Sequence, residues 1–160
     1  MTIRILSVTL GWLLSMALCQ AQPALTVQGL DGKSITLAIA DLQKLPPQTI
    51  KGAVHGTPAT FEGVRLADVL SKVALPLGEK YHQTCTSYYL LVDAQDGYRA
   101  VFAWAELDPA FMEKEIYVVT SRDGKPLSEK EGPFELVVPG EKRPGRWVRQ
   151  VTSLKIQRAN

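Results

Sequence analysis

The stretch "LVVPGEKRPGRWVRQV", residues 136–151, joins an apolar segment to a strongly basic one. The apolar run ends at Pro139, and the basic residues that follow are Lys142, Arg143, Arg146 and Arg149. Pro144-Gly145 predicts a turn here, which would place these charges on one exposed loop between two strands. Such a loop either binds an anion or offsets acidic residues elsewhere in the fold.

Charge is unevenly divided along the chain. Residues 142–160 hold six basic residues and no acidic one, whereas residues 22–141 carry a net charge of −5. The basic segment is therefore expected to pair with the acidic remainder or to present an anion site. The sum is close to neutral, which argues against nucleic-acid binding because that usually requires a larger positive excess.

Residues 1–21 have the features of an export signal. Arg4 supplies a positive charge, and the apolar run of residues 5–18 is too short to span a bilayer comfortably. Cys19 and Ala21 are small residues suited to cleavage after Ala21, while Leu18 disfavours a lipoprotein. We therefore predict a periplasmic or secreted product, residues 22–160, that forms one domain without stable membrane insertion.

Apolar alternation and turn signals predict a strand-rich, mixed α+β domain. Asp31-Gly32, Asp96-Gly97 and Asp123-Gly124 each indicate a tight turn between strands. We expect about seven short strands, residues 48–54 among them. Short helices are expected over residues 39–47, 66–73 and 105–112, and the second has the clearest helical spacing of apolar residues.

Several motifs occur in an order that resembles the molybdopterin-binding domain of sulfite-oxidase-type oxidoreductases. They are "LTVQGL" (25–30), "ITLAIADLQKLP" (35–46), "FEGVRLADVL" (61–70), "DAQDGYRAVFAWAEL" (93–107), "DGKPLSEKEGPFELVVPG" (123–140) and "RWVRQVTSLKI" (146–156). Each motif is weak alone, but together they cover nearly all of residues 24–157. The resemblance implies the sulfite-oxidase-type fold and suggests a molybdopterin cofactor, although a fold does not bring its chemistry with it.

The chain differs from the enzymes of this family at positions on which their activity and export depend. Family enzymes bind molybdenum with a cysteine thiolate from the interval that here reads "TIKGAVHGTPATFEG", residues 49–63, which contains no cysteine. Where family members often carry an arginine before the "LVVP" run, this chain has Glu135, whose carboxylate would repel an oxyanion. Exported family enzymes travel folded behind a twin-arginine signal, whereas Arg4 stands alone here.

Part of the family's anion pocket is nevertheless retained. Arg146 and Arg149 fall where the resemblance places a basic C-terminal loop, His55 lies in a predicted loop at the pocket's edge, and Arg99 follows a turn near it. The predicted anion- or ligand-binding set is therefore His55, Arg99, Lys142, Arg143, Arg146 and Arg149. Each of these residues also has a plain structural explanation as an exposed loop or hairpin residue.

A weaker pattern suggests a metal site. His82 and Cys85 are three positions apart and, with His55, would offer three ligands for zinc or copper. A fourth ligand is not evident. Cys85 is the one cysteine left after signal cleavage, and its alternative role is to begin a buried strand.

The sequence thus predicts an exported, cofactor-free binding module for a small anionic ligand or a periplasmic protein, and it offers no catalytic residue. The alternative is a molybdopterin-dependent oxidoreductase subunit with an atypical set of metal ligands. A periplasmic zinc- or copper-binding protein is the third reading.

Overall fold

The computed structural model describes residues 22–54, 56–73, 75, 77–78 and 85–159 of the 160-residue chain. The predicted signal peptide, His55 and His82 lie outside these residues. Within the described ranges, no helix has the length and apolar character that crossing a membrane requires.

Strands dominate the described chain. The helices are α1 (Ile39–Leu42), α2 (Leu66–Leu70), which continues into a 3₁₀ turn over Ser71–Val73, and α3 (Trp104–Leu107). The strands are β1 (Ala24–Gln28), β2 (Ser34–Ala38), β3 (Gln48–Val54), β4 (Thr57–Arg65), β5 (Tyr88–Ala94), β6 (Arg99–Ala103), β7 (Tyr117–Arg122), β8 (Lys125–Pro126), β9 (Glu135–Val137) and β10 (Val151–Arg158). The α+β prediction is confirmed, but about seven strands was too few, because a two-residue strand such as β8 carries little local signal.

The first sheet has the order β2-β1-β10-β5-β6. Its outer pairs are the hairpins β1–β2 and β5–β6, and β10 lies between them, parallel to β1 and antiparallel to β5. The hairpins close at the predicted Asp-Gly turns, where Gly32 and Gly97 have φ angles of 78° and 85°. Glycine adopts such positive φ angles without a steric penalty, which explains these turns.

The second sheet has the order β3-β4-β7-β8, with β9 also paired to β7. The predicted strand over residues 48–54 is confirmed as β3, and it pairs with β4 as far as Val54 and Thr57. At the third predicted turn, Asp123 and Gly124 both have positive φ angles, and Asp123 Oδ1 accepts a 2.8 Å hydrogen bond from the Thr60 backbone N–H. This turn is thereby tied to β4.

Strand β4 approaches β7 unusually closely at Gly63. The register between the two strands shifts between Glu62 and Gly63, which marks a β-bulge. A Cβ atom at Gly63 would lie only 2.1 Å from the Val118 carbonyl oxygen and 2.6 Å from Val119 Cα. Only glycine therefore fits this position of the "FEGVRL" motif.

The core has two parts, joined by Trp147. The larger part includes the buried α2 face predicted from its spacing (Leu66, Val69 and Leu70) and the alternating residues of the first sheet. The smaller part is buried in the second sheet and consists of Ile50, Phe61, Val119 and Val137. Trp147 packs against both parts, so the basic loop that carries it is fixed to the fold.

Candidate functional site

Trp147 anchors the loop between β9 and β10. Its indole Nε1 donates a 2.9 Å hydrogen bond to the Val138 carbonyl oxygen, and its ring meets Phe61 edge to face with centroids 5.6 Å apart. The predicted turn is confirmed, because the Trp147 backbone N–H donates to the Pro144 carbonyl oxygen at 3.1 Å. The basic side chains of the loop therefore project from a positioned backbone.

Arg146 lies between two carboxylates. Its Nη1 is 2.7 Å from Glu106 Oε1, its Nε is 2.8 Å from Glu141 Oε1, and its Nη2 also contacts Glu141. The guanidinium carbon is 4.8 Å from the centroid of the Phe102 ring. Burial acts to lower the pKa of Arg146, but the bonds to Glu106 and Glu141 outweigh it and raise the pKa. This arginine is engaged by the protein itself.

Replacing Arg146 with methionine tests this arrangement. Methionine keeps an apolar side chain over Phe102 but leaves Glu106 and Glu141 without their cation, so we expect the free energy of unfolding to fall by about 1–2 kcal/mol. Urea denaturation of a protein consisting of residues 22–160 measures this. The matched control is Arg143→Met, which removes the same charge from an exposed residue of the loop and should change stability by less than about 0.5 kcal/mol. Equal effects of the two changes would contradict the assignment.

Arg99 belongs to a charge network on the first sheet. Its Nε is 2.9 Å from Asp93 Oδ1, while Asp93 Oδ2 accepts hydrogen bonds from Lys155 Nζ and Ser153 Oγ, each at 2.8 Å. The hydrogen bond from Lys155 is the largest influence on the pKa of Asp93 and holds it below the usual range. Arg99 therefore neutralises an acidic residue of the neighbouring strand.

Lys142 and Arg143 are exposed at the tip of the loop, and neither forms a salt bridge with any of the described residues. With Arg149, whose side chain is 46% exposed, they supply the exposed positive charge of the loop. The predicted pairing of the basic segment with the acidic remainder is confirmed for Arg146 and Lys155, whereas an anion site at the exposed Lys142 and Arg143 stays a prediction.

Arg149 lines a cavity of about 330 Å³ beside the loop, together with Glu135, Trp147, Tyr98 and Asp96. Glu135 is only 3% exposed, and its Oε1 lies 3.9 Å from Arg149 Nε, which is too far for a hydrogen bond. Burial raises the pKa of Glu135 to about 7, although Arg149 acts in the opposite direction. The cavity therefore contains a buried carboxyl that is only weakly neutralised.

The structure thus separates the predicted anion-binding residues. Arg149 lines the cavity, Arg146 and Arg99 are paired with carboxylates, Lys142 and Arg143 are exposed, and His55 lies outside the described residues. Sequence reasoning did not identify Trp147, Tyr98 or Asp96 as lining residues. The sequence did mark this region through Glu135, because this chain has an acidic residue where members of the resembling family often have an arginine.

A second cavity of about 470 Å³ lies between α2 and the segment after α3. Its charged groups bind one another: Arg65 Nη1 is 3.0 Å from Glu115 Oε1, and the Tyr117 hydroxyl donates to Glu115 Oε2 at 2.6 Å. Burial and this carboxylate raise the pKa of Tyr117 to about 12. Asp108 accepts hydrogen bonds from the backbone N–H groups of Gly78 and Ala110. Glu115 and Asp108 are thus held by hydrogen bonds, whereas Arg65 Nε and Asp68 Oδ2, which lie 3.5 Å apart, have no hydrogen-bond partner among the described residues.

The described residues do not fit a molybdenum ion bound by a protein thiolate. Residues 49–54 and 56–63 form most of the β3–β4 hairpin, which carries no cysteine, and Cys85 is only 1% exposed within the larger core. Cys85 lies just before β5, so the prediction that this strand begins at Cys85 starts the strand slightly too early. The Cys85 side chain is buried, as that prediction expects. No group of three or more metal-ligating side chains occurs among the described residues, and a site using His55 and His82 stays a prediction.

Comparisons with known proteins place this geometry in context. A model of the family described as "Oxidoreductase molybdopterin binding domain" matches residues 19–160. The solved structure of the sulfane dehydrogenase SoxCD from Paracoccus pantotrophus is similar, with a TM-score of 0.63 and 18% sequence identity. That similarity covers 84% of this chain but 38% of the SoxCD chain, so it supports the fold alone. Among curated proteins, no match is found.

Proposed function

Because the chain belongs to the oxidoreductase molybdopterin binding domain family, we propose that it uses the family's fold as an exported binding module that works without the molybdenum cofactor. The binding surface is the loop of residues 138–150 with the cavity beside it. The partner is a small ligand or a periplasmic protein. For an anionic partner, the available cations are the exposed Lys142, Arg143 and Arg149.

The observation that supports this proposal is the position of the cysteine and arginine side chains that a molybdenum cofactor would need to bind. The buried Cys85 is in the core, and the Arg146 guanidinium is bonded to Glu106 and Glu141. Loading an anionic pterin beside Arg146 would require breaking these bonds, and Glu135 would repel the anion. A soft sulfur donor, which suits molybdenum chemistry, is not available at the cavity among the described residues.

Elemental analysis and pterin fluorescence test this proposal. Mature protein from the periplasm of a molybdate-fed native host is expected to contain neither stoichiometric molybdenum nor a pterin. Stoichiometric molybdenum with a pterin would overturn the proposal and favour the oxidoreductase with an atypical ligand set. Stoichiometric zinc or copper that is lost in Cys85→Ser would instead favour the metal-binding protein.

A further inference from the structure

Glu135, a lining residue of the cavity beside the loop, has a buried carboxyl oxygen without a hydrogen-bond partner among the described residues. Glu135 lines this cavity with a side chain that is 4% exposed, and its Oε2 atom forms no hydrogen bond with the described residues. Buried polar groups in native proteins are nearly always hydrogen-bonded, and an unpaired one costs roughly 1–3 kcal/mol. A ligand in the cavity that brings a hydrogen-bond donor to the Glu135 carboxyl would supply the missing partner.

The charges around Glu135 favour a cationic donor. Arg149 is the nearest cation, but it is 3.9 Å away and nearly half exposed, so solvent weakens its effect. Arg122, which also acts on Glu135, is paired with Glu131, whose negative charge opposes ionisation of Glu135. Asp96 adds a further acidic group to the cavity lining. The lining contains two carboxyl groups and one guanidinium group, so its net charge is negative when Glu135 is ionised.

Two aromatic side chains complete the lining. The indole Nε1 of Trp147 is bonded to the Val138 carbonyl oxygen, and the Tyr98 hydroxyl donates a 2.6 Å hydrogen bond to the Gly145 carbonyl oxygen. Because the polar ends of both rings are already satisfied, the rings can offer a ligand apolar and π surface. Aromatic faces attract ammonium and guanidinium groups, and a cavity of about 330 Å³ suits a small molecule.

We propose that this cavity binds a small organic cation, an ammonium or guanidinium group on an apolar body, with Glu135 accepting its hydrogen bonds and Trp147 and Tyr98 packing against the body. This inference rests on the proposed function, because a bound pterin would compete for the same side of the loop. It names a ligand class of opposite charge to the anionic ligand that the arginine-rich loop predicted.

Binding should depend on pH through Glu135. Only the ionised carboxylate attracts a cation, and burial places the pKa of Glu135 at about 7. Affinity for a cation should therefore rise about tenfold between pH 6 and pH 8, in proportion to the ionised fraction. Neutral and anionic probes should not gain affinity in this way.

The test uses three probes of similar size and different charge: 2-phenylethylammonium, 2-phenylethanol and phenylacetate. Each is titrated into mature protein from the same periplasmic preparation, with calorimetry for affinity and the NMR signal of the Trp147 indole N–H for location. The expected order of affinity at pH 8 is ammonium, then alcohol, then carboxylate. Glu135→Gln should reduce the preference for the ammonium over the alcohol at least about tenfold and remove its pH dependence.

The control variant is Glu113→Gln, which removes the same charge from an exposed residue outside the cavity and should bind like the wild type. Tighter binding of phenylacetate, or no binding of any probe by protein free of pterin, would overturn this inference while leaving the cofactor-free module intact. Finding the pterin in the preparation would overturn the proposed function instead. The wild-type affinity order decides the question even if a variant fails to fold.

Discussion

Replacing Gly63 with alanine is expected to destabilise the protein by about 4 kcal/mol or more, a large part of the stability of an ordinary domain. The added Cβ would lie 2.1 Å from the Val118 carbonyl oxygen and 2.6 Å from Val119 Cα. Both are backbone atoms of β7, so no side chain can rotate away to make room. The strands must separate at the bulge, which breaks the β4–β7 ladder beside the buried Phe61 and Val119.

Urea denaturation and thermal unfolding of a protein consisting of residues 22–160 measure this loss. The matched control is Gly145→Ala in the exposed loop, where an added Cβ meets no atom within 4 Å. The control should unfold close to the wild type. A Gly63→Ala protein as stable as the Gly145→Ala control would mean that β4 and β7 lie farther apart than described.

Replacing Glu135 with glutamine is expected to stabilise the protein at high pH. The folded-state pKa of Glu135 is raised from an ordinary 4.5 to about 7, so the folded protein holds this proton more tightly than the unfolded chain. The contribution of Glu135 to stability is therefore greatest at low pH and is lost as pH rises through 7. Between pH 5 and pH 8, the stability of the variant relative to the wild type should increase by about 2–3 kcal/mol.

Urea denaturation at several pH values measures this difference. The measured quantity is the change with pH in the stability difference between the variant and the wild type. Burying the glutamine amide has a free-energy cost that does not depend on pH, so this cost does not affect the change. Glu113→Gln, at an exposed position, should show no such change. A wild type that gains stability relative to Glu135→Gln as pH rises would mean that Glu135 is held ionised by a strong partner.

The sequence predicted those features that depend on neighbouring residues. The Asp-Gly turns at residues 31–32, 96–97 and 123–124 follow from the positive φ angles that they require. The α2 face follows from its spacing, and the strand over residues 48–54 from its apolar and β-branched residues. The family motifs, which occur in the family's order, predicted the fold. The family match and the structural similarity confirm this prediction.

The features that the sequence did not predict depend on distant residues. Arg146 was expected to favour an anion, but its partner Glu106 lies 40 positions away and no local pattern links the two. The two-residue strand β8 exists because β7 offers an edge, and it is too short for a sequence pattern. The acidic character of the cavity required knowing that β9 buries Glu135 beside Arg149.

The position of β10 has a consequence for the order in which the chain can assemble. This strand is the last described element, yet it lies between β1 and β5 at the centre of the first sheet. Until β10 has been synthesised, the two flanking hairpins have no common neighbour and their inner edges remain open. Completion of the first sheet is therefore a late step, because it needs nearly all of the described chain and depends on non-local pairing.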